Sequence, residues 1–132
     1  MLKGGILNAQ LAHVLADLGH KDTLVVSDAG LPVPEGVEKV DLAWKPNEPK
    51  YLDVLKEILN SIVVEKAILA KELKTVSPEM HQKILEVLPK DIPIEYVDHV
   101  DLKEKTKSSR AIVRTGEFTP YPSVILVCAC AY

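Results

Sequence analysis

Two ionisable side chains, His20 and Asp28, flank a short apolar run in the stretch LGHKDTLVVSDAGLPVP, residues 18–34. A histidine titrates near neutral pH, so His20 is able to give or take a proton in acid–base catalysis. It also follows a predicted helix, and spacing alone favours a local interaction with that helix end. Asp28 is able to accept hydrogen bonds from substrate hydroxyl groups, and a turn-forming role fits the sequence Asp-Ala-Gly equally well.

A second group of polar and aromatic side chains follows later in the chain. His99 lies at a predicted strand-to-helix junction, where a purely local role at the helix start is the alternative to ligand binding. The segment RTGEFTPYPS, residues 114–123, contains two of the few aromatic residues, Phe118 and Tyr121. An aromatic ring in a polar loop is a platform for the apolar face of a sugar, and a tyrosine hydroxyl remains free to hydrogen-bond. A plain polar loop between two strands is the alternative.

The sequence lacks the motifs of nucleotide-binding sites, of covalent catalysis and of zinc sites. The loop after the apolar run has prolines where a dinucleotide-binding loop needs glycines, and no phosphate-binding loop or nucleophile elbow occurs. Cys128 and Cys130 are predicted to point to one face of a strand as small buried residues. A zinc site would need two more ligands at suitable spacing, which the four histidines do not supply. We therefore expect no metal and no cofactor.

Composition favours a globular protein of one domain, residues 1–132, with 47% hydrophobic and 27% charged residues. The net charge of −3 and the 5% aromatic content argue against a nucleic-acid partner, which needs a basic surface and stacking platforms. No apolar run approaches the roughly 18 residues of a membrane span, and the N-terminus does not resemble a signal peptide. We expect a cytoplasmic protein.

Alternating apolar runs and amphipathic segments predict the elements that position these residues. Strands are predicted at 23–27, 37–44, 66–70, 92–97, 110–115 and 123–129, and helices at 7–18, 45–62, 77–89 and 99–109. Asn8, Ser77 and Asp98 are predicted helix N-caps, and Gly19 is a predicted left-handed residue after the first helix. This alternation predicts an α/β fold with a largely parallel sheet covered by helices.

Several stretches, in this order, resemble the D-ribose pyranase (ribose mutarotase) family, the sister group of the L-fucose mutarotases. They are GILNAQLAHVLADLGHKDTLVVSDAGLPVP, VEKVDLA, VEKAILAKELK, AIVRTGEFTPY and the aliphatic last strand. The resemblance implies a three-layer α/β fold and a cofactor-free enzyme that interconverts the pyranose and furanose forms of D-ribose. It also implies large homo-oligomers, typically decamers of stacked pentameric rings.

The resemblance also assigns roles to residues of this chain. It places the proton-donating histidine at His20 and sugar contacts at Asp28, His99 and Tyr121. The family usually continues its tyrosine as Tyr-Ala-Asn, whereas here the segment is Tyr121-Pro122-Ser123, so sugar contacts at Pro122 and Ser123 must differ. A mutarotase for fucose or another monosaccharide, and a non-catalytic sugar-binding module, remain alternatives.

The separation of His20 and Asp28 raises a geometric question. Eight extended residues span at most about 26 Å, far more than a pentose. Either the flanking loops fold back towards each other, or one site draws its residues from neighbouring subunits. The ring assembly that the resemblance implies favours the second arrangement.

Overall fold

The computed structural model describes all 132 residues, Met1–Tyr132. The elements in chain order are α1 (Ala9–Asp17), β1 (Thr23–Ser27), β2 (Glu38–Asp41), α2 (Tyr51–Ser61), β3 (Val64–Ala70), α3 (Glu72–Val76), α4 (Pro78–Val87), β4 (Ile94–Val97), α5 (His99–Lys105), a 3₁₀ turn (Thr106–Ser108), β5 (Ala111–Arg114) and β6 (Val124–Cys128). All six predicted strands are present, and the one element that the sequence pattern missed is the five-residue helix α3.

The six strands form one mixed sheet in the order β2-β5-β1-β6-β3-β4. The pairs β2–β5, β5–β1 and β3–β4 are parallel, whereas β6 runs antiparallel to both of its neighbours, β1 and β3. The predicted largely parallel α/β sheet is therefore confirmed, with one antiparallel strand at its centre. This reversal brings the start of β6 beside the carboxyl ends of β1 and β3.

Helices cover both faces of the sheet, which gives the expected three layers. Side chains alternate along β1, so that Leu24 and Val26 face one apolar cluster and Val25 faces the other. The larger cluster packs the sheet against α1, α2, α3 and α4. The smaller cluster contains Leu102 of α5 and Leu31 of the loop after β1. Apolar burial on both faces explains why the central strands β1, β5 and β6 read as nearly continuous apolar runs.

Of the predicted N-cap residues, only one caps its helix with a side-chain hydrogen bond. The Asn8 side chain caps α1 by accepting a hydrogen bond from the Leu11 N–H at 2.8 Å. Ser77 and Asp98 hold the predicted cap positions but make no side-chain cap bond, because Ser77 donates to the Pro120 carbonyl and Asp98 pairs with Lys71. The predicted side-chain caps at these two positions are wrong.

Two further expectations need correction. The left-handed residue after α1 is Lys21, with φ of 71°, and not Gly19, whose N–H instead bonds the Asp22 carboxylate. Cys128 is buried at the end of β6, but Cys130 is exposed because the strand ends two residues before it. No helix in the structure combines the length and the apolar character needed to cross a membrane.

Candidate active site

Four strand ends meet at one edge of the sheet and bring the candidate residues together. Val26 at the end of β1 pairs with Val124 at the start of β6, and Leu69 near the end of β3 pairs with the same residue. Ala70 of β3 pairs in turn with Val97 at the end of β4. The residues that follow β1 and β4 and those that precede β6 therefore share this edge, where open α/β sheets bind ligands.

Asp28 is held in place through both of its carboxylate oxygens. Oδ1 accepts the N–H of Gly30 at 2.7 Å, so Asp28 does form the turn that its sequence context favours. Oδ2 accepts the hydroxyl of Ser123 at 3.0 Å, and the same hydroxyl accepts the Asp28 N–H at 3.2 Å. A carboxylate has further lone pairs for sugar hydroxyl groups, so the turn-forming role and the site role are compatible.

His99 and Tyr121 pack against each other beside Asp28. Their ring centroids lie 4.9 Å apart in an edge-to-face arrangement. Tyr121 adopts a left-handed backbone conformation, with φ of 67°, which costs a non-glycine residue of the order of 1 kcal/mol. The preceding loop therefore holds this aromatic residue in a conformation that it does not favour by itself.

The protonation of His99 follows from its surroundings. Burial lowers the pKa of His99, and nearby Lys103 acts in the same direction, whereas the charges of Glu72 and Asp28 oppose them. The ring nitrogen Nδ1 is buried and has no hydrogen-bond partner within the chain. His99 is therefore a neutral imidazole at neutral pH, and its buried Nδ1 makes no hydrogen bond within the chain.

Buried Glu117 ties the loop between β5 and β6 to the rest of the site. Its carboxylate accepts the N–H of Tyr51 at 3.2 Å and the hydroxyl of Thr119 at 2.9 Å. Its carbonyl accepts the Ala29 N–H at 2.9 Å, which joins this loop to the turn at Asp28. Burial, reinforced by the charges of Asp28 and Glu117, raises the pKa of Tyr51, whose buried hydroxyl lacks a partner.

An open cleft of about 420 Å³ borders Asp28. Arg114, Glu117 and residues 118–120 line its other sides. Arg114 is itself fixed, since it donates to the Ala29 carbonyl at 2.9 Å and to the Asp41 carboxylate at 3.1 Å. The cleft therefore combines apolar surface with a few fixed charged and polar side chains, as small-molecule binding sites commonly do. No group of three or more His, Cys, Asp or Glu side chains is placed to hold a metal ion.

His20 lies at the opposite edge of the sheet. It precedes β1, which separates it from Asp28 by five extended residues, or about 17 Å at 3.3 Å per residue. Its Nε2 lies 3.3 Å from the carboxylate of Glu65 on β3, so its hydrogen bond does not go to the end of α1. It lines a separate cavity of about 330 Å³, formed mostly by apolar residues from α1, α2 and the C-terminal segment.

The structure thus brings together Asp28, His99, Tyr121 and Ser123, with Pro122 buried between the last two. It does not bring His20 to them within one chain. The loops at the two ends of β1 do not fold back towards each other. Of the two arrangements expected from the sequence, only a site that draws His20 and Asp28 from neighbouring subunits remains.

Two carboxylates near these residues were not identified from the sequence. Glu72 of α3 accepts the His99 N–H with both oxygens, at 3.0 and 3.1 Å, but α3 is too short to give a helical pattern. Glu65 contacts His20 from β3. The only feature of the sequence that points to Glu65 is the pair of successive charged residues, Glu65 and Lys66, within an otherwise apolar strand.

Comparison with known proteins gives relatives over nearly the whole chain. The D-ribose pyranase of Maridesulfovibrio salexigens is 47% identical over 131 residues, which is 94% of each chain. The D-ribose pyranase of Coprothermobacter proteolyticus is 47% identical over 126 residues, 96% of this chain and 95% of the relative.

Solved structures show the same fold. The structure of Bacillus subtilis RbsD complexed with D-ribose is similar to this chain with a TM-score of 0.95 and 44% identity, over 100% of both chains. The fucose mutarotase of Streptococcus pneumoniae in complex with L-fucose is similar with a TM-score of 0.75 and 22% identity, over 99% of this chain and 100% of that one. The profile of the RbsD / FucU transport protein family matches residues 1–131. The resemblance seen in the sequence is confirmed, and the chain belongs to the RbsD/FucU family.

Proposed function

We propose that this chain is a D-ribose pyranase, which interconverts the pyranose and furanose forms of D-ribose. The observation that carries the proposal is the cluster of Asp28, Ser123, His99 and Tyr121 at one sheet edge. This cluster occurs in a chain that is 44% identical, over its full length, to a protein whose structure was solved with D-ribose. Its relatives at 47% identity carry the name D-ribose pyranase.

The reaction needs only proton transfers. Opening the hemiacetal ring requires a proton on the ring oxygen and removal of a proton from the anomeric hydroxyl, and closure through another hydroxyl reverses these transfers. In this proposal protonated His20 gives its proton to the ring oxygen while the anomeric hydroxyl releases its proton to water, and closure through another hydroxyl returns a proton to His20. General acid–base assistance of this kind contributes roughly 10²–10⁴ in rate. Because only protons move, the proposed reaction calls for no cofactor.

The other residues of the proposed site hold the sugar. Asp28 accepts hydrogen bonds from sugar hydroxyls, while the Ser123 hydroxyl keeps its carboxylate oriented. In this proposal the neutral His99 imidazole hydrogen-bonds a sugar hydroxyl, and the Tyr121 ring packed against it offers an apolar face and a hydroxyl. Pro122 has no N–H, so in this proposal it contributes shape and not a hydrogen-bond donor.

The proposed site is shared between subunits. His20 and Asp28 lie at opposite ends of β1, so neither half is complete within one chain. The mostly apolar cavity beside His20 is a suitable surface for a neighbouring copy. We propose a homo-oligomer, a decamer of the kind that the family resemblance implies. We also propose that residues 1–132 form one domain, because all six strands join one sheet, and that the enzyme acts in the cytoplasm.

Magnetisation-transfer NMR on D-ribose tests the proposed activity. With catalytic amounts of protein, we expect exchange between the pyranose and furanose signals to be faster than in buffer. His20→Ala is expected to lower the exchange rate by about 10²-fold or more, because the proton donor is lost. Unaccelerated exchange with the wild-type protein would contradict the proposal. A parallel series with L-fucose distinguishes a ribose enzyme from a mutarotase that prefers another sugar.

A further inference from the structure

The strand that carries Glu65 is irregular at that residue. β3 pairs with β6 in two registers, with Val64 opposite Cys128 and Lys66 opposite Val127, so the register shifts between Val64 and Lys66. Glu65 occupies the bulge. Bulges bend a strand and re-aim a side chain, and they are frequent next to active sites.

The side chain that the bulge re-aims contacts two successive residues of the loop before β1. Glu65 Oε2 lies 3.3 Å from His20 Nε2, and Oε1 pairs with the ammonium group of Lys21. The pairing with Lys21, followed by the bond to His20, lowers the pKa of Glu65 despite partial burial. Glu65 is therefore an ionised carboxylate at neutral pH.

The loop that presents His20 is itself fixed by backbone bonds. The Lys21 N–H donates to the Cys128 carbonyl at 2.9 Å, and the Asp22 N–H donates to the Gly19 carbonyl at 3.1 Å. Lys21 adopts a left-handed conformation, with φ of 71°, which is unfavourable for a non-glycine residue. A strained residue and a bulge on two different elements thus converge on one contact between a histidine and a carboxylate.

The chemistry of this contact determines which ring nitrogen is free. An ionised carboxylate only accepts hydrogen bonds, so His20 must carry a proton on Nε2 to bond Glu65. The other nitrogen, Nδ1, then changes between the donor and acceptor states as the ring gains and loses its second proton.

We propose that Glu65 is a positioning residue for His20, whose carboxylate orients the imidazole ring and keeps a proton on Nε2, so that Nδ1 exchanges the proton with the sugar. This inference rests on the proposed ribose pyranase activity. The His20 side chain is 51% exposed and that of Glu65 29%, so the pair contributes little to stability. Its effect is on ring orientation and tautomer.

Two variants separate charge from hydrogen bonding. Glu65→Ala removes both, and we expect kcat for ribose exchange to fall by about tenfold, a part of the gain that an acid–base group provides. KM should change little, because the sugar-binding residues lie at the other half of the site. Glu65→Gln keeps an acceptor oxygen, and its kcat should lie between those of wild type and Glu65→Ala.

Glu95→Gln is the matched control. Glu95 is a carboxylate on the adjacent strand β4 and pairs with Lys66 of β3. This pairing lowers the pKa of Glu95, as the pairing with Lys21 lowers the pKa of Glu65. It does not contact His20, and its substitution should leave kcat unchanged.

The ring tautomer provides a readout that does not depend on ribose. In ¹⁵N-histidine-labelled protein above neutral pH, we expect the neutral His20 ring to carry its proton on Nε2 in the wild type and to become a mixture of tautomers in Glu65→Ala. His20→Ala identifies the signal. A fall in kcat without a tautomer change, or the reverse, would overturn the inference. If wild-type protein does not accelerate ribose exchange, the proposed function fails, while the tautomer measurement still tests the contact.

Discussion

At the scale of single residues, Asp28 shows how one side chain serves both the fold and the proposed site. Gly30 fixes one carboxylate oxygen and Ser123 fixes the other. The Ser123 hydroxyl also accepts the Asp28 N–H, so a single buried side chain supports both the backbone and the carboxylate. In the proposed site the short hydroxyl of Ser123 therefore affects sugar binding through Asp28, without having to reach the sugar itself.

Ser123→Ala tests this support. We expect a higher KM for ribose, because the carboxylate loses one restraint, with a smaller effect on kcat. The free energy of unfolding should fall by about 1 kcal/mol, since the part-buried Asp28 N–H loses its acceptor. Exchange rates at increasing ribose concentration and urea denaturation measure the two effects. Ser108→Ala is the control, because Ser108 is exposed and bonds only the Lys105 carbonyl. An unchanged KM in Ser123→Ala would contradict the positioning of Asp28.

Two histidines make stability depend on pH in a direction that the structure determines. Burial lowers the pKa of His81, helped by Lys74, and burial lowers the pKa of His99, helped by Lys103. The unfolded chain therefore binds more protons just below the ordinary value of 6.5. Stability from this source is fully present above pH 6.5 and is lost as the pH falls through the lowered values.

We therefore expect the melting temperature to fall between pH 7.5 and 5.5. His81→Gln should reduce that fall, because one of the two titrating groups is removed. Exposed His13 provides the control substitution, His13→Gln, which should leave the slope unchanged. A melting temperature that rises towards pH 5.5 in the wild type would contradict the sign.

At the scale of elements, the sequence pattern predicts the strands better than it predicts their partners. The sequence pattern locates all six strands, and the largely buried run 23–27 is correct at both ends. The antiparallel direction of β6 has no local signal, because strand direction depends on long-range pairing. The second strand ends early, at Asp41 and not Trp44, since the Asp41 carboxylate accepts the Ala43 N–H and turns the chain.

The residues of the candidate site are predictable from the sequence, whereas the residues that support them are not. The resemblance identifies His20, Asp28, His99, Tyr121 and the Tyr-Pro-Ser segment, of which the structure brings all but His20 together. Residues that support them, such as Glu72 and Glu65, are not predictable, because they act through contacts between elements distant in sequence.

The turn before α2 and the loop between β5 and β6 form one packed unit. Gly116 donates its N–H to the Pro49 carbonyl, and its own carbonyl accepts the Asn47 N–H at 2.7 Å. A Cβ atom at position 116 would overlap the backbone of Glu48. The glycine therefore allows the close approach of two chain segments next to the proposed site.

Gly116→Ala should force these segments apart. We expect the free energy of unfolding to fall by about 1–3 kcal/mol, as for other overpacked sites. Urea denaturation at one protein concentration measures it. Gly4→Ala is the control, since a Cβ at position 4 meets no atom within 4 Å. An equal effect of both substitutions would contradict the steric explanation.

At the scale of the whole molecule, the two ends of β1 carry the two halves of the proposed site. One half holds Asp28, His99 and Tyr121, and the other holds His20 with its apolar cavity. A pentose cannot reach across the length of β1, so both halves act on one sugar only if two copies meet. Activity is then a property of the assembly.

Mixed oligomers test this directly. His20→Ala and Asp28→Ala each remove one half and should be inactive alone. In randomly mixed oligomers with equal amounts of both, about a quarter of the sites receive an intact residue from each neighbouring subunit, so about a quarter of wild-type activity should return. Asp28→Ala mixed with His99→Ala is the matched control, because both residues belong to the same half and no site is repaired. Recovery in the first mixture and not in the second requires a shared site, whereas a site built within one chain gives recovery in neither.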